Sequence, residues 1–190
     1  SGNVLAGNID EFDGAYMMAR LVDYIVEHLS QQIKAGCDTV QVFDSWASDL
    51  GEEHIIPYCY EPTAQIVERL RALHPDVGII VFPRLIGEEI NNFSKYVNAD
   101  CISLSDDMKT DWILKRMGSQ CLQGGIPPQV LLSERKEEII RGTVPMIRQM
   151  KDCAYVVNLA HGINKETPVE NVRFFIEIVK RNRENITRET

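Results

Sequence analysis

Five short apolar runs recur along this chain, and amphipathic helical stretches separate them. They are Thr39-Val40-Gln41-Val42-Phe43-Asp44, Gly78-Ile79-Ile80-Val81-Phe82, Cys101-Ile102-Ser103-Leu104, Gln120-Cys121-Leu122-Gln123-Gly124 and Ala154-Tyr155-Val156-Val157-Asn158-Leu159. Their length and apolar, partly β-branched make-up are those of buried strands. Strands joined through helices at such intervals imply right-handed βαβ crossovers and a parallel sheet covered by helices. The fold class is α/β. Periodicity leaves two arrangements open, a doubly wound sheet or part of a (βα)8 barrel, because both repeat the same unit.

The spacing predicts a first helix over about 15–35, with Met17, Leu21, Ile25, Leu29 and Ile33 as an apolar stripe and Ala35-Gly36 as its stop. Further helices are expected over Thr63–Leu73, with Ile66, Val67 and Leu70 on one side, and over Lys136–Met150 after the Pro127-Pro128 loop. The last helix carries a start signal: Thr167 as N-cap, Pro168 at the first helical position and Glu170 completing a capping box. No glycine-rich loop follows the first strand. Phe43-Asp44-Ser45-Trp46 is too bulky for backbone to approach a pyrophosphate, which argues against dinucleotide binding.

At 190 residues, 44% of them hydrophobic, the chain can bury a sizeable core, and residues 1–190 are expected to form a single domain. It has no apolar run near the ~18 residues of a membrane span, and Ser1-Gly2-Asn3 lacks the features of a signal peptide, so a cytoplasmic protein without a membrane partner is expected. The formal charge of −8, with no basic cluster, speaks against a nucleic-acid partner. Cys37, Cys59, Cys101, Cys121 and Cys153 form no C-x-x-C pair; they read as free thiols, mostly buried, rather than metal ligands.

In α/β sheets and barrels, chemistry gathers beyond the carboxyl ends of the strands. Here those positions read Phe43-Asp44-Ser45-Trp46, Pro83-Arg84, Ser105-Asp106-Asp107, Gln123-Gly124-Gly125 and His161-Gly162. Each has a plainer explanation. Asp44 and Ser45 suit a turn or cap, Arg84 a solvated cation, and Asp106-Asp107 a helix N-terminus. His161, between an apolar strand and a glycine, is poorly explained as core filler. His28, His54 and His74 have no ligand set nearby and read as surface or structural residues.

Residues 35–47, Ala35-Gly36-Cys37-Asp38-Thr39-Val40-Gln41-Val42-Phe43-Asp44-Ser45-Trp46-Ala47, resemble the uroporphyrinogen decarboxylase segment AGAD-x-VQ-x-FDSWAG. Leu122-Gln123-Gly124 resembles that family's QGN-x-DP loop, Asn158-Leu159-Ala160-His161-Gly162 its NLGHG strand end, and Thr167-Pro168-Val169-Glu170-Asn171-Val172 its final helix start. The departures are Ser48 for the glycine of SWAG, Gly125 and Pro127 for the Asn and Asp of QGN-x-DP, and Ala160 for the middle glycine of NLGHG.

The resemblance implies a (βα)8 TIM-type barrel of which about the last five βα units are present. It implies removal of four acetate carboxyl groups from uroporphyrinogen, a tetrapyrrole, to give coproporphyrinogen, with no cofactor and no metal, by a homodimer. It carries substrate contacts onto Ser45, His161 and Phe43, and Arg84 is the rim cation that could join them. The family's basic loop, its central aspartate and its tyrosine match no segment here, so the chain alone is expected to be inactive. Two other readings stand beside this one. Corrinoid methyltransferases share the barrel but bind zinc through His-x-Cys, which does not occur here. A non-catalytic interaction fragment would use its open sheet edges to bind another chain.

Overall fold

The structure is a computed structural model that describes residues 11–189, and side chains of residues 14–182. Its elements run in the order α1 (Glu11–Lys34), β1 (Thr39–Asp44), α2 (Glu52–Ile55), α3 (Glu61–Leu73), β2 (Gly78–Pro83), α4 (Ile90–Val97), β3 (Cys101–Leu104), α5 (Thr110–Met117), β4 (Cys121–Gly124), α6 (Lys136–Gln149), β5 (Tyr155–Val156) and α7 (Val169–Glu189). A π-helical turn, Ile56–Tyr60, joins α2 to α3. Ser1-Gly2-Asn3 lies outside the described residues.

All five strands are parallel, and their order in the sheet is their order in the chain. A doubly wound sheet reverses its strand order at a switch point, and this one does not. One face of the strands, Val40, Val42, Ile79, Val81, Ile102, Leu104 and Leu122, is buried in a common core with residues of α1, α3, α4 and α5. Helices on one face of a singly wound sheet are the layout of a (βα)8 barrel. The other face is concave. Gln123 Nε2 on β4 donates to Gln41 Oε1 on β1 at 3.1 Å and to Ser103 Oγ on β3 at 3.3 Å. In a flat sheet β1 and β4 would lie ~14 Å apart, three spacings of about 4.8 Å, and side chains rising perpendicular to it would not meet. Phe43 and Val156 stay exposed on that face. The chain is thus a partial TIM-type barrel.

The structure alters three local expectations. The stripe Met17-Leu21-Ile25-Leu29-Ile33 does not face the core as a unit: Val22, Val26 and Leu29 are buried, Ile25 and Ile33 are partly buried against the core, and Met17 and Leu21 are exposed beside Tyr16 and Tyr24. A residue repeat of four advances about 40° per step around a 3.6-residue helix, so its ends turn onto different faces. The fifth strand pairs over Tyr155–Val156 only and resumes as a single bridge, Ile126 to Leu159. Gly124 and Gly125, at φ 81° and 85°, break β4 between the two pairings. Finally, no capping box forms, because Thr167 Oγ1 is buried without a hydrogen-bond partner. Asn171 ties the start of α7 instead, donating to Leu131 O and Ser133 O, both at 2.9 Å.

Replacing Gln123 by Leu leaves the half-buried Gln41 and the buried Ser103 without their donor, and it is expected to destabilise the chain by about 1–3 kcal/mol in denaturant titrations. Combining it with Gln41→Leu should cost less than the sum of the single changes. Strict additivity would contradict the cross-sheet contact.

Candidate functional site

The parallel ladder sends every strand's carboxyl end to one rim, so the sequence alone placed the candidate residues at strand ends and the topology brings those ends together. Phe43 and Asp44 end β1 and Ser45 follows it; Arg84 follows β2; Ser105, Asp106 and Asp107 follow β3; Gly124 ends β4 and Gly125 follows it; His161 follows the Leu159 bridge.

Phe43 and Trp46 are 64% and 73% exposed, unusual for aromatic residues beside a core, and Phe43 meets the buried Phe82 edge-to-face at 6.2 Å. Ser45 is exposed between them. Beneath it the Asp44 carboxylate accepts from the Trp46 N–H and from the Cys59 thiol, which the π-helical turn carries in. Burial raises the Asp44 pKa above its ordinary value, and those two hydrogen bonds lower it in part. Asp44 O also accepts from Arg84 N at 3.0 Å, so the first two rim loops are bound to each other. Arg84 itself is half-buried and makes no ion pair with a described side chain.

The loop after β3 shapes the loop after β2. Ser105 Oγ accepts from Leu85 N at 2.9 Å, and Asp107 Oδ2 from Gly87 N at 3.1 Å. These bonds hold Leu85 at φ 57°, a left-handed conformation uncommon outside glycine. Asp107 therefore caps the turn at Gly87–Glu89, not the start of α5, whose N-cap position is Lys109. Sequence reasoning missed this, because nothing local links positions 20 residues apart. Gly125 stands where the family motif has Asn. Both residues accept positive φ, so the backbone path is kept while the side-chain amide is lost. Ala160 in place of the motif's glycine is buried and has negative φ, donating its N–H to Ile126 O at 2.7 Å.

His161 is half-buried, its Nδ1 2.7 Å from Gly162 O, an arrangement that makes Nδ1 the donor and leaves Nε2 available. The other histidines contact neighbouring side chains: His74 Nε2 meets Ser30 Oγ at 3.0 Å, His28 meets Gln32 at 2.8 Å, and His54 packs on Tyr58, with His28 and His54 on the surface. Among the described residues no three His, Cys, Asp or Glu side chains converge as a metal set would, and no helix is long and apolar enough to cross a membrane.

Fold and rim together define a barrel-type α/β protein with aromatic, hydroxyl, carboxylate, guanidinium and imidazole groups on one edge. The chain belongs to the uroporphyrinogen decarboxylase family, whose model matches residues 11–182. It is 31% identical over 166 residues to a uroporphyrinogen decarboxylase of Cereibacter sphaeroides, covering 86% of this chain and 48% of that protein. It is 34% identical over 160 residues to that of Orientia tsutsugamushi (84% and 47%), and 32% over 176 residues to that of Ruegeria pomeroyi (92% and 50%). The chain spans about half the length of the curated relatives it matches.

Because the folded state holds the Asp44 proton more tightly than the unfolded state does, the wild-type chain loses stability as pH rises from the ordinary value of 3.8 through the folded pKa. Asp44→Asn removes that dependence while keeping an acceptor. Thermal melts across this window should show the variant gaining on the wild type as pH rises, whereas parallel curves would refute the assigned burial.

Proposed function

We propose that this chain supplies the C-terminal part of a uroporphyrinogen decarboxylase active site and that it works only when the barrel is completed. The observation that carries the reading is the position of the family-matching Phe43, Ser45 and His161 on the rim of the five-stranded sheet that the described residues form. Phe43 offers an exposed aromatic face to a macrocycle, and Ser45 and His161 offer hydrogen bonds to its peripheral carboxylates. Arg84 adds a cation not spent on a described partner.

In this reaction the pyrrole is its own electron sink. Protonation of a ring carbon creates a cation that accepts the electrons of the departing carboxylate, and carbon dioxide leaves. Eight substrate carboxylates need several paired cations, and the pyrrolic cation needs a buried anion. Arg84 is one cation, and Asp44 is committed to Trp46 and Cys59. The remaining groups would come from the barrel units that the longer relatives carry.

The test is coproporphyrinogen formation by this chain alone and after mixing with the N-terminal half of a relative. No turnover is expected alone, and metal-independent turnover after mixing. In the mixture, Ser45→Ala and His161→Ala should each lower kcat/KM by about 10- to 100-fold, the loss of one or two hydrogen bonds. Turnover by the isolated chain would overturn the proposal.

A second reading, a unit that acts through association alone, is favoured by the outer edges of β1 and β5, which pair with no described strand, and by the apolar flank Tyr16, Met17, Leu21 and Tyr24 on α1. Homodimerisation fits the same surfaces. Sedimentation at micromolar concentration should find dimers or larger species; a compact monomer would argue against both.

A further inference from the structure

The cysteines that look scattered in sequence are not scattered in the fold. Cys101 on β3 and Cys121 on β4 are register partners in adjacent parallel strands, in the same row as Gln41 and Ile80. They lie on the concave face, since Ile102, Leu104 and Leu122 beside them point into the helix-side core. Burial raises the Cys101 thiol pKa, and the neighbouring Cys121 thiol adds to that rise. Cys101 is buried and Cys121 half-buried, so the pair is reached from the open interior through Cys121. Cys37 is exposed, and Cys59 is engaged with Asp44.

We propose that Cys101 and Cys121 form a two-coordinate site for a soft divalent cation of the mercuric class. Register partners in a parallel sheet sit about 4.8 Å apart, and inward curvature brings their side chains closer than the backbone. Two metal–sulfur bonds of about 2.3 Å in line span roughly that gap. A disulfide instead needs its sulfur atoms about 2.05 Å apart and a two-electron oxidant, and metal binding requires neither.

Charge selects the cation. Binding breaks two S–H bonds, forms two metal–sulfur bonds and releases two protons to solvent, with no change in oxidation state. A divalent cation leaves a neutral complex, whereas a monovalent one leaves a negative complex beside the Asp100 carboxylate, which already acts on Cys101. Soft thiolates and a linear geometry exclude the hard divalent ions, which require six or more oxygen ligands.

The probe is mercuric chloride added to the chain carrying Cys37→Ser, which removes the exposed thiol that could bridge two chains. X-ray absorption should find two sulfur neighbours around one equivalent of tightly held mercury. Cys121→Ser in the same background should convert this to one sulfur and one chloride, and weaken retention against a chelator by more than about a hundredfold, because one thiolate cannot close the site. A sulfur–chloride environment before that substitution overturns the proposal even if Cys121→Ser fails to fold. So does unchanged retention in a folded Cys121→Ser chain.

Discussion

The contact between Gln41 and Gln123 makes sense of the rest of the structure. It spans four strands, and it forms only because the sheet curls toward its inner face. That curl has three consequences. It leaves the helices a single convex face to cover, it turns the carboxyl ends of the strands toward a shared mouth, and it brings the polar side chains of Gln41, Ser103 and Gln123 together on the inner face. Gln123 is 4% exposed, so its amide must be paired, and Ser103 and Gln41 supply the partners.

The rim is organised by short links between neighbouring loops. Asp44 O receives Arg84 N, Ser105 receives Leu85 N, Asp107 receives Gly87 N, and Ile126 O receives Ala160 N. Each loop is held by its neighbour, which is how side chains on irregular backbone keep fixed directions. The same logic accounts for the family departures. Where a position carries a backbone constraint, as at Gly125, the replacement respects it; Ser48 and Ala160, at negative φ, are free of the constraint.

Much of the fold was legible in the sequence because burial leaves a periodic trace. Strands such as Val40-Gln41-Val42 and Ile79-Ile80-Val81, and the helices between them, follow from local patterns. What the pattern lacks is everything set by distant partners. The stripe on α1 departs from the buried face because a repeat of four resembles a helical face over one turn and leaves it over four. The split of β5 depends on backbone angles in β4, and the burial of Thr167 without a cap depends on how α7 docks. The pairing of Cys101 with Cys121 is a matter of register, which sequence spacing does not express. The rim residues Phe43, Ser45, Arg84 and His161 were found as candidates because strand ends are predictable; their shared edge is a property of the topology.

The inward curl is accessible in solution by NMR. A nuclear Overhauser contact between the Gln123 side-chain amide protons and the Gln41 side chain is expected in the folded chain, since the two groups are 3.1 Å apart. A flat sheet would separate these strands by ~14 Å, far beyond the reach of such a contact. Its presence would support the partial barrel; its absence, with sequential strand pairing intact, would contradict the account.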